Sequence, residues 1–360
     1  MMMKNLQQAQ IGKHTIGAGY PAFLVFEAGP THTGVESAKS LAKAAKDSGA
    51  HAVKFQMTNP YRLVADRRQM FDYKVLTDRA SGAIEAVSEP LFDILKRRYL
   101  THDQWAEVKS YCDEIDICMY ATVGYLEDLN HLVDIGCQAI KISSSDVNHI
   151  PMLRAAAKTG LNVQIDTGNA KLGEVESAVD ELVAHGCENI IIHHCPSGYP
   201  ARLDGINLRI LKTLQSMFPV PVAFSDHSPG WDMDIAAIAL GASMIEKTIT
   251  HDRTTRSAEH MFSLEPKDAM RFVTVMREIQ QGLGSARRIF SQEEDAGRTR
   301  LRRSMHLRTN LPAGHIVRLS DIEFRRPGFG IPASDWDKVN GKKLRVALDE
   351  DHRLDWADFE

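Results

Sequence analysis

Gly136-Cys137-Gln138-Ala139-Ile140-Lys141-Ile142-Ser143 decides the fold of this chain, because the same arrangement returns along it. Gly49-Ala50 precedes Val53-Lys54-Phe55-Gln56, and Gly186-Cys187 precedes Ile190-Ile191-Ile192-His193-His194. Gly241-Ala242 precedes Met244-Ile245-Glu246-Lys247, and Gly160 opens a related copy, Leu161-Asn162-Val163-Gln164-Ile165-Asp166. Each copy reads as a glycine that stops a helix in the left-handed conformation, followed at once by a buried strand. The later copies lie about 25 residues apart, or about twice that, which is one strand and one helix per unit. Each strand ends in side chains too polar for a core. Repeated βα units with functional groups at the strand C-termini predict a (β/α)8 TIM barrel whose active site lies at that face.

Outward from these copies, strands are expected at residues 23–27, 52–56, 115–121, 139–143, 162–166, 189–194, 222–225 and 244–248. Helices are clearest at 36–48, 171–185 and 266–283, and another starts near Thr101, an N-cap with Asp103 and Gln104 in its first turn. Residues 59–101 are too many for one crossover helix. They carry Tyr61, Arg62, Arg67, Arg68, Tyr73 and Lys74 and are expected to form a helical lid over the barrel mouth. The barrel is assigned to residues 1–285. Residues 286–300 are assigned as a linker, because Ser291 to Arg300 is acidic and then basic without apolar periodicity. Residues 301–360 hold short apolar pieces divided by turn signals, a small, mostly β module that should pack on the barrel or on a partner subunit.

The chain has 360 residues, 43% hydrophobic and 25% charged, which is an ordinary globular composition. A formal charge of −4 gives no basis for nucleic acid or an anionic membrane as partner, so an anionic substrate must be held by local Lys, Arg and backbone N–H groups. The start, Met1 to Gly12, is polar, and no stretch approaches the roughly 18 apolar residues of a membrane span, so a cytoplasmic location is expected. Cys112, Cys118, Cys137, Cys187 and Cys195 lack metal-like spacing and read as reduced packing thiols.

The strand ends supply the chemistry. Glu27, Lys54 with Gln56, Lys141 with Ser143 to Ser145, Asp166-Thr167-Gly168, His193-His194, Ser225-Asp226-His227 and Glu246-Lys247 all fall at the same rim. Two interior lysines with Ser and backbone donors suit a phosphate and a carboxylate. His227 suits a divalent metal or acid/base work. Glu27, Asp166 and Glu246 suit proton transfer or sugar hydroxyls. Spacing alone does not choose the reaction.

Longer motifs carry a resemblance. Val53-Lys54-Phe55-Gln56, Lys141-Ile142-Ser143-Ser144, His194-Cys195-Pro196-Ser197-Gly198-Tyr199-Pro200 and Ser225-Asp226-His227-Ser228-Pro229-Gly230 occur in order. Arg302-Arg303-Ser304, Arg326-Pro327-Gly328 and Gly341-Lys342 follow. From about Phe23 onward the chain resembles the sialic acid synthase (N-acetylneuraminate synthase-like) family, whose barrel is followed by an antifreeze-like (SAF) domain. The resemblance implies condensation of phosphoenolpyruvate with a sugar aldehyde to a nonulosonic acid, with release of phosphate. It implies that Lys54, Lys141, Ser144 and Ser225 hold phosphoenolpyruvate and that Glu27 orients the intermediate or acts as acid/base. Gln56, Thr122, Asp146, Tyr199 and Glu246 would line the sugar site. His227 would ligate a divalent metal, Mn2+ or Mg2+, and Arg326 would reach the sugar from a second subunit in a domain-swapped homodimer. Departures from the family pattern are Thr31-His32-Thr33-Gly34, Asp166 in place of a phosphate-binding Ser, Asp146 in place of Glu, and Thr248 in place of a second metal His. Asp166 is expected to compensate as an oxygen ligand beside His227. Two other readings stay open: a class I Schiff-base aldolase using Lys54 or Lys141, and a non-catalytic sugar-phosphate-binding homologue.

Overall fold

The computed structural model describes residues 6–360 and begins with an antiparallel hairpin, β1 (Gln8–Ile11) and β2 (His14–Gly17). Then come β3 (Phe23–Glu27), β4 (Ala52–Met57), a second hairpin of β5 (Met70–Asp78) and β6 (Ala83–Pro90), and β7 (Cys118–Val123). They are followed by β8 (Ala139–Ile142), β9 (Asn162–Asp166), β10 (Ile190–His194), β11 (Val222–Asp226) and β12 (Met244–Thr248). Strands β3, β4 and β7 to β12 close into a parallel barrel, which is the architecture expected from the repeated junctions. The glycines that open the copies, from Gly49 to Gly241, all have positive φ, as the helix-to-strand reading requires.

Period-two alternation divides each barrel strand between two cores. Leu24, Phe26, Val53, Phe55, Ile140 and Ile142 face the helical layer. Phe23, Val25, Ala52, Tyr120, Ala139, Ile191, Ala223 and Met244 face inward and pack with Ala9, Ile11 and Ile16 of the first hairpin. That hairpin therefore stops the N-terminal end of the barrel, which leaves the opposite end as the open one. The polar run at the start of the chain conceals it, because β1 buries only alternate residues and β2 only Ile16 and Gly17. Two residues further along each inward row come Glu27, Lys54, Thr122, Lys141, His193, Ser225 and Glu246. The register sets Glu27 beside Lys54 and Thr248, Thr122 beside Lys141, and Ser225 beside Glu246.

Residues 59–101 differ from the helical lid expected there. Two short helices, Pro60–Leu63 and Leu91–Lys96, flank the β5–β6 hairpin. Tyr73, Val75 and Val87 are buried together with Ile94 and Ala258, a period of two that excludes a helix over this stretch. Gly82, at φ 71, makes the turn. The third barrel strand begins at Cys118 rather than 115, because the helix His102–Glu114 is terminated by Ile115 and by Asp116 in the left-handed region at φ 53. Asp is one of the few non-glycine residues that tolerate that conformation.

The chain divides into two compact units, the first ending at Gly284 and the second running Ser285–Glu360. Part of the expected linker is helical. Ser291 and Glu294 form a capping box, and Gln292–Leu301 carries acidic residues in its first turn and Arg298 and Arg300 in its last. Beyond it, β13 (Ser304–Leu307) pairs with β14 (Ile322–Arg325) over a core that includes Met305, Leu307, Val317, Ile331, Leu344 and Phe359. Among the described residues no helix is long and apolar enough to cross a membrane, and all five cysteines are free.

Candidate active site

A cavity of about 370 Å³ opens at the C-terminal ends of the barrel strands. Glu27, Lys54, Gln56, Thr122, Lys141, Ser144, Asp146, Asp166, Tyr199, His227 and Glu246 all line it. The lid contributes Leu63, Phe71, Leu91, Ile94, Leu95 and Arg98. Backbone approach at the mouth is close: a Cβ on Gly168 would lie 2.6 Å from the Cys195 carbonyl oxygen and 3.2 Å from Ser144 Oγ.

The floor of the cavity is an ionic cluster. Lys141 Nζ donates to both oxygens of Glu246 at 2.9 Å and to Ser225 Oγ at 3.0 Å, with Asp166 Oδ1 also 2.9 Å away. Lys54 Nζ lies in contact with Glu27 Oε2, 3.2 Å from Thr122 Oγ1 and 3.3 Å from Glu246 Oε1. Glu246 thus bridges the two ammonium groups. Glu27 is oriented from its other oxygen by the Gly29 N–H at 2.6 Å.

Burial and charge oppose each other here, and the outcome differs by residue. Burial alone would depress both lysines, yet the carboxylates beside them prevail and hold both above the ordinary lysine value. For Glu246, burial pushes up, but Lys141 and Lys54 outweigh it and keep the group well below the usual carboxylate range. For Asp166 burial wins over Lys141, and its carboxyl is raised. The cluster therefore separates one firmly ionised carboxylate from one that protonates more readily.

Below the cluster a directional hydrogen-bond chain fixes Ser225. Tyr120 OH donates to Gln164 Oε1 at 3.2 Å, while Gln164 Nε2 donates to Asn162 Oδ1 at 3.1 Å. The carbonyl end of Gln164 thus faces His193 Nε2, 2.9 Å away, which must carry the proton. His193 Nδ1 is then the acceptor for the Ser225 hydroxyl at 2.9 Å, and Ser225 Oγ is free to accept from Lys141. Burial, then Lys141, keeps the His193 imidazole far below its ordinary value, hence neutral. Ser225 lies under the cavity rather than in its lining, as does His193.

Above the cluster, His227 packs against the Tyr199 ring at 4.8 Å and Phe262 at 6.0 Å, with Nδ1 3.3 Å from the Pro196 carbonyl. Ser143 Oγ donates to Asp146 Oδ2 at 2.8 Å and holds that shortened acid at the rim. Two charged residues of the cavity lining escaped the sequence reading, Arg98 and Glu259. Neither ends a strand, although Glu259 belongs to the loop after β12, at the face where barrel loops carry function. Burial raises the Glu259 carboxyl against the opposing influence of His227 and Arg98. Lys247, next to Glu246, faces the other way and meets Asp226 and Asp234. His194 Nε2 donates to the Ile206 carbonyl at 2.6 Å, outside the cavity.

The expected His227–Asp166 metal site is not built. Asp166 turns to Lys141, which leaves His227 as a single imidazole, too few donors for a resident ion. Among the described residues no group of three or more His, Cys, Asp and Glu is arranged to hold a metal. Arg326 belongs to the second unit, where it is exposed.

Residues 41–288 match the NeuB family and residues 302–360 the SAF domain. An uncharacterized protein of Methanocaldococcus jannaschii is 30% identical over 98% of this chain and 99% of its own. The N,N'-diacetyllegionaminic acid synthase of Legionella pneumophila subsp. pneumophila is 30% identical over 96% of each chain. The solved structure of an N-acetylneuraminic acid (sialic acid) synthetase from Leptospira borgpetersenii serovar Hardjo-bovis, in complex with citrate, is 29% identical. It superposes with a TM-score of 0.70 over 81% of this chain and 94% of that one. The chain belongs to the NeuB family and is an enzyme of the sialic acid synthase type.

Proposed function

We propose that this member of the NeuB family condenses phosphoenolpyruvate with the open-chain form of an N-acyl hexosamine-like aldose, giving a sialic acid-like 3-deoxy-2-ulosonic acid and free phosphate. One observation carries the reading: Lys54 and Lys141, bridged by Glu246, present two ammonium groups to one cavity at the functional face of a barrel. Carbon 3 of phosphoenolpyruvate bonds to the aldehyde carbon, and the aldehyde oxygen takes a proton. Water adds at carbon 2 and loses its protons. The C–O bond to phosphate then breaks, which leaves the carbon 2 ketone and inorganic phosphate. Asp166 and Glu259, raised by burial, are the carboxyls suited to bring a proton, and Glu246 stays an anion that orients both lysines. Glu27 steers Lys54, and Ser144 in the cavity wall offers a hydroxyl to the phosphate, while Ser225 acts from beneath by orienting Lys141. Gln56, Thr122, Asp146 and Tyr199 would meet the sugar. A Mn2+ or Mg2+ ion would find His227 as its one imidazole here and would depend on water and substrate for its other ligands.

The Schiff-base alternative needs a neutral amine, whereas carboxylates raise both lysines above the ordinary value. Incubation with phosphoenolpyruvate and a panel of hexoses, 2-acetamido sugars and diamino sugars tests the proposal. Phosphate release that depends on one aldose, with no borohydride-trapped pyruvate adduct, is expected. A trapped adduct would mean an aldolase, and no phosphate with any aldose a binding protein without turnover.

The resemblance further supports a two-fold dimer in which Arg326 of one subunit serves the sugar site of the other. Mixing Arg326→Ala with Lys141→Met protein should then restore part of the activity that each lacks alone. Sedimentation as a monomer would end this part of the proposal.

A further inference from the structure

Arg98 follows the lid helix Leu91–Lys96 and lines the cavity. Its Nε and Nη1 are buried and have no hydrogen-bond partner. Its neighbour Arg97 is the opposite case, clamped by Glu89 at 2.6 Å on the lid itself. The other two cations that line the cavity, Lys54 and Lys141, are each in contact with carboxylates. Arg98 is thus the one cation lining the cavity, among the described residues, that has no carboxylate within ion-pair distance.

The acids nearest to it do not neutralise it. Glu259 and Glu27 act on Arg98 only through space. The Glu27 oxygens are taken by Gly29, Lys54 and Gln56, and Glu259 is raised toward its neutral form by burial. A buried guanidinium without an acceptor is unfavourable unless a ligand brings one. The planar fork of a guanidinium matches two oxygens of a carboxylate or phosphate.

We propose that Arg98 is a substrate-binding residue that receives an oxyanion, carboxylate or phosphate, of a substrate held in this cavity. The inference rests on the reading of the cavity as a condensation site. It adds that the lid, and not the barrel alone, supplies a charge to the substrates. The oxyanion has two possible sources, phosphoenolpyruvate itself or an acidic group on the aldose, and the same variants separate them.

The test uses full-length wild type, Arg98→Met and Arg98→Lys, each checked for folding by circular dichroism. Phosphoenolpyruvate alone is titrated calorimetrically, and KM is then measured for a neutral aldose and its phosphate ester. If phosphoenolpyruvate supplies the oxyanion, Arg98→Met weakens its binding by about tenfold or more, and Arg98→Lys recovers part of the loss. If the aldose supplies it, phosphoenolpyruvate binding is unchanged. KM for the phosphate ester then rises by about tenfold, while that for the neutral sugar stays put. Should Arg98→Met not fold, Arg98→Lys reads the same quantities, since it keeps the charge and loses the fork. Wild-type values of both quantities in a folded variant overturn the inference. Wild-type protein that fails to bind phosphoenolpyruvate overturns the condensation reading as well, which separates the two failures.

Discussion

Glu246 and Lys247 are neighbours on β12, and they belong to two ionic networks on opposite sides of the same strand. Inward, Glu246 joins Lys141, Lys54, Glu27 and Asp166. Outward, Lys247 contacts Asp226, lies 3.4 Å from Asp234 of the helix Asp232–Ala239, and donates to the Ser228 carbonyl at 2.6 Å. Exposure does not distinguish them, since Lys141 is 1% and Lys247 0% exposed. What distinguishes them is what lies beyond: a cavity on one side, packed helix on the other. A sealed network fixes how strand and helix meet, and it has no route by which an anion could enter. A network at a cavity floor has oxygens that an incoming phosphate can replace. The same lysine-and-carboxylate chemistry thus serves architecture on one face and binding on the other.

The largest expected effect breaks the outer network. Lys247→Met leaves Asp226 and Asp234 without their cation, and such removal typically costs about 3–5 kcal/mol. The urea midpoint should fall sharply, while protein that stays folded binds phosphoenolpyruvate as wild type does. A variant with normal stability and lost phosphoenolpyruvate binding would reverse the assignment of the two faces.

A smaller effect extends the comparison to a buried polar group with no ionic partner at all. His32, in the loop after β3, packs edge-on to Phe55 and Trp105, and neither ring nitrogen has a hydrogen-bond partner. Burial, aided by Arg98, pushes its pKa from 6.5 down to about 3. It is therefore neutral in the fold, and the unfolded chain protonates first as the pH drops. Its contribution to stability is complete above 6.5 and is lost as pH falls from there toward 3. The loss should be on the order of 1 kcal/mol per pH unit within that window. Denaturant midpoints followed from pH 7.5 to 4.5 should show a slope that His32→Phe reduces. Equal slopes in the two proteins would contradict it.

The barrel was legible because its signals are local and repeated. A glycine with positive φ precedes five of the barrel strands, and the strand that follows is short and apolar. The cavity floor was legible for a related reason: period two carries Lys54, Lys141 and Glu246 onto the inner face beyond apolar residues that fill it. The β5–β6 hairpin was not, because Tyr73, Val75 and Val87 are buried against the short lid helix and Ala258 rather than in the main core, so its alternation is diluted by charged residues. The helix Gln292–Leu301 has no buried residue, and its sequence signals are confined to the Ser291–Glu294 cap and the acidic-to-basic order of its charges. Arg98 and Glu259 belong to segments without periodicity, where residue type reveals a charge but not its surroundings. Asp166 is expected beside His227 because Thr248 stands where the family pattern has a second metal His, but rim position does not fix which neighbour a carboxylate meets, and Asp166 meets Lys141.

Calorimetric titration of phosphoenolpyruvate into wild type and Lys141→Met tests most directly whether the inner network is the binding floor. Loss of a charge-assisted contact worth about 1.5–3 kcal/mol predicts affinity weakened by about one to two decades. Equal affinity in the two folded proteins would show that the anion binds elsewhere.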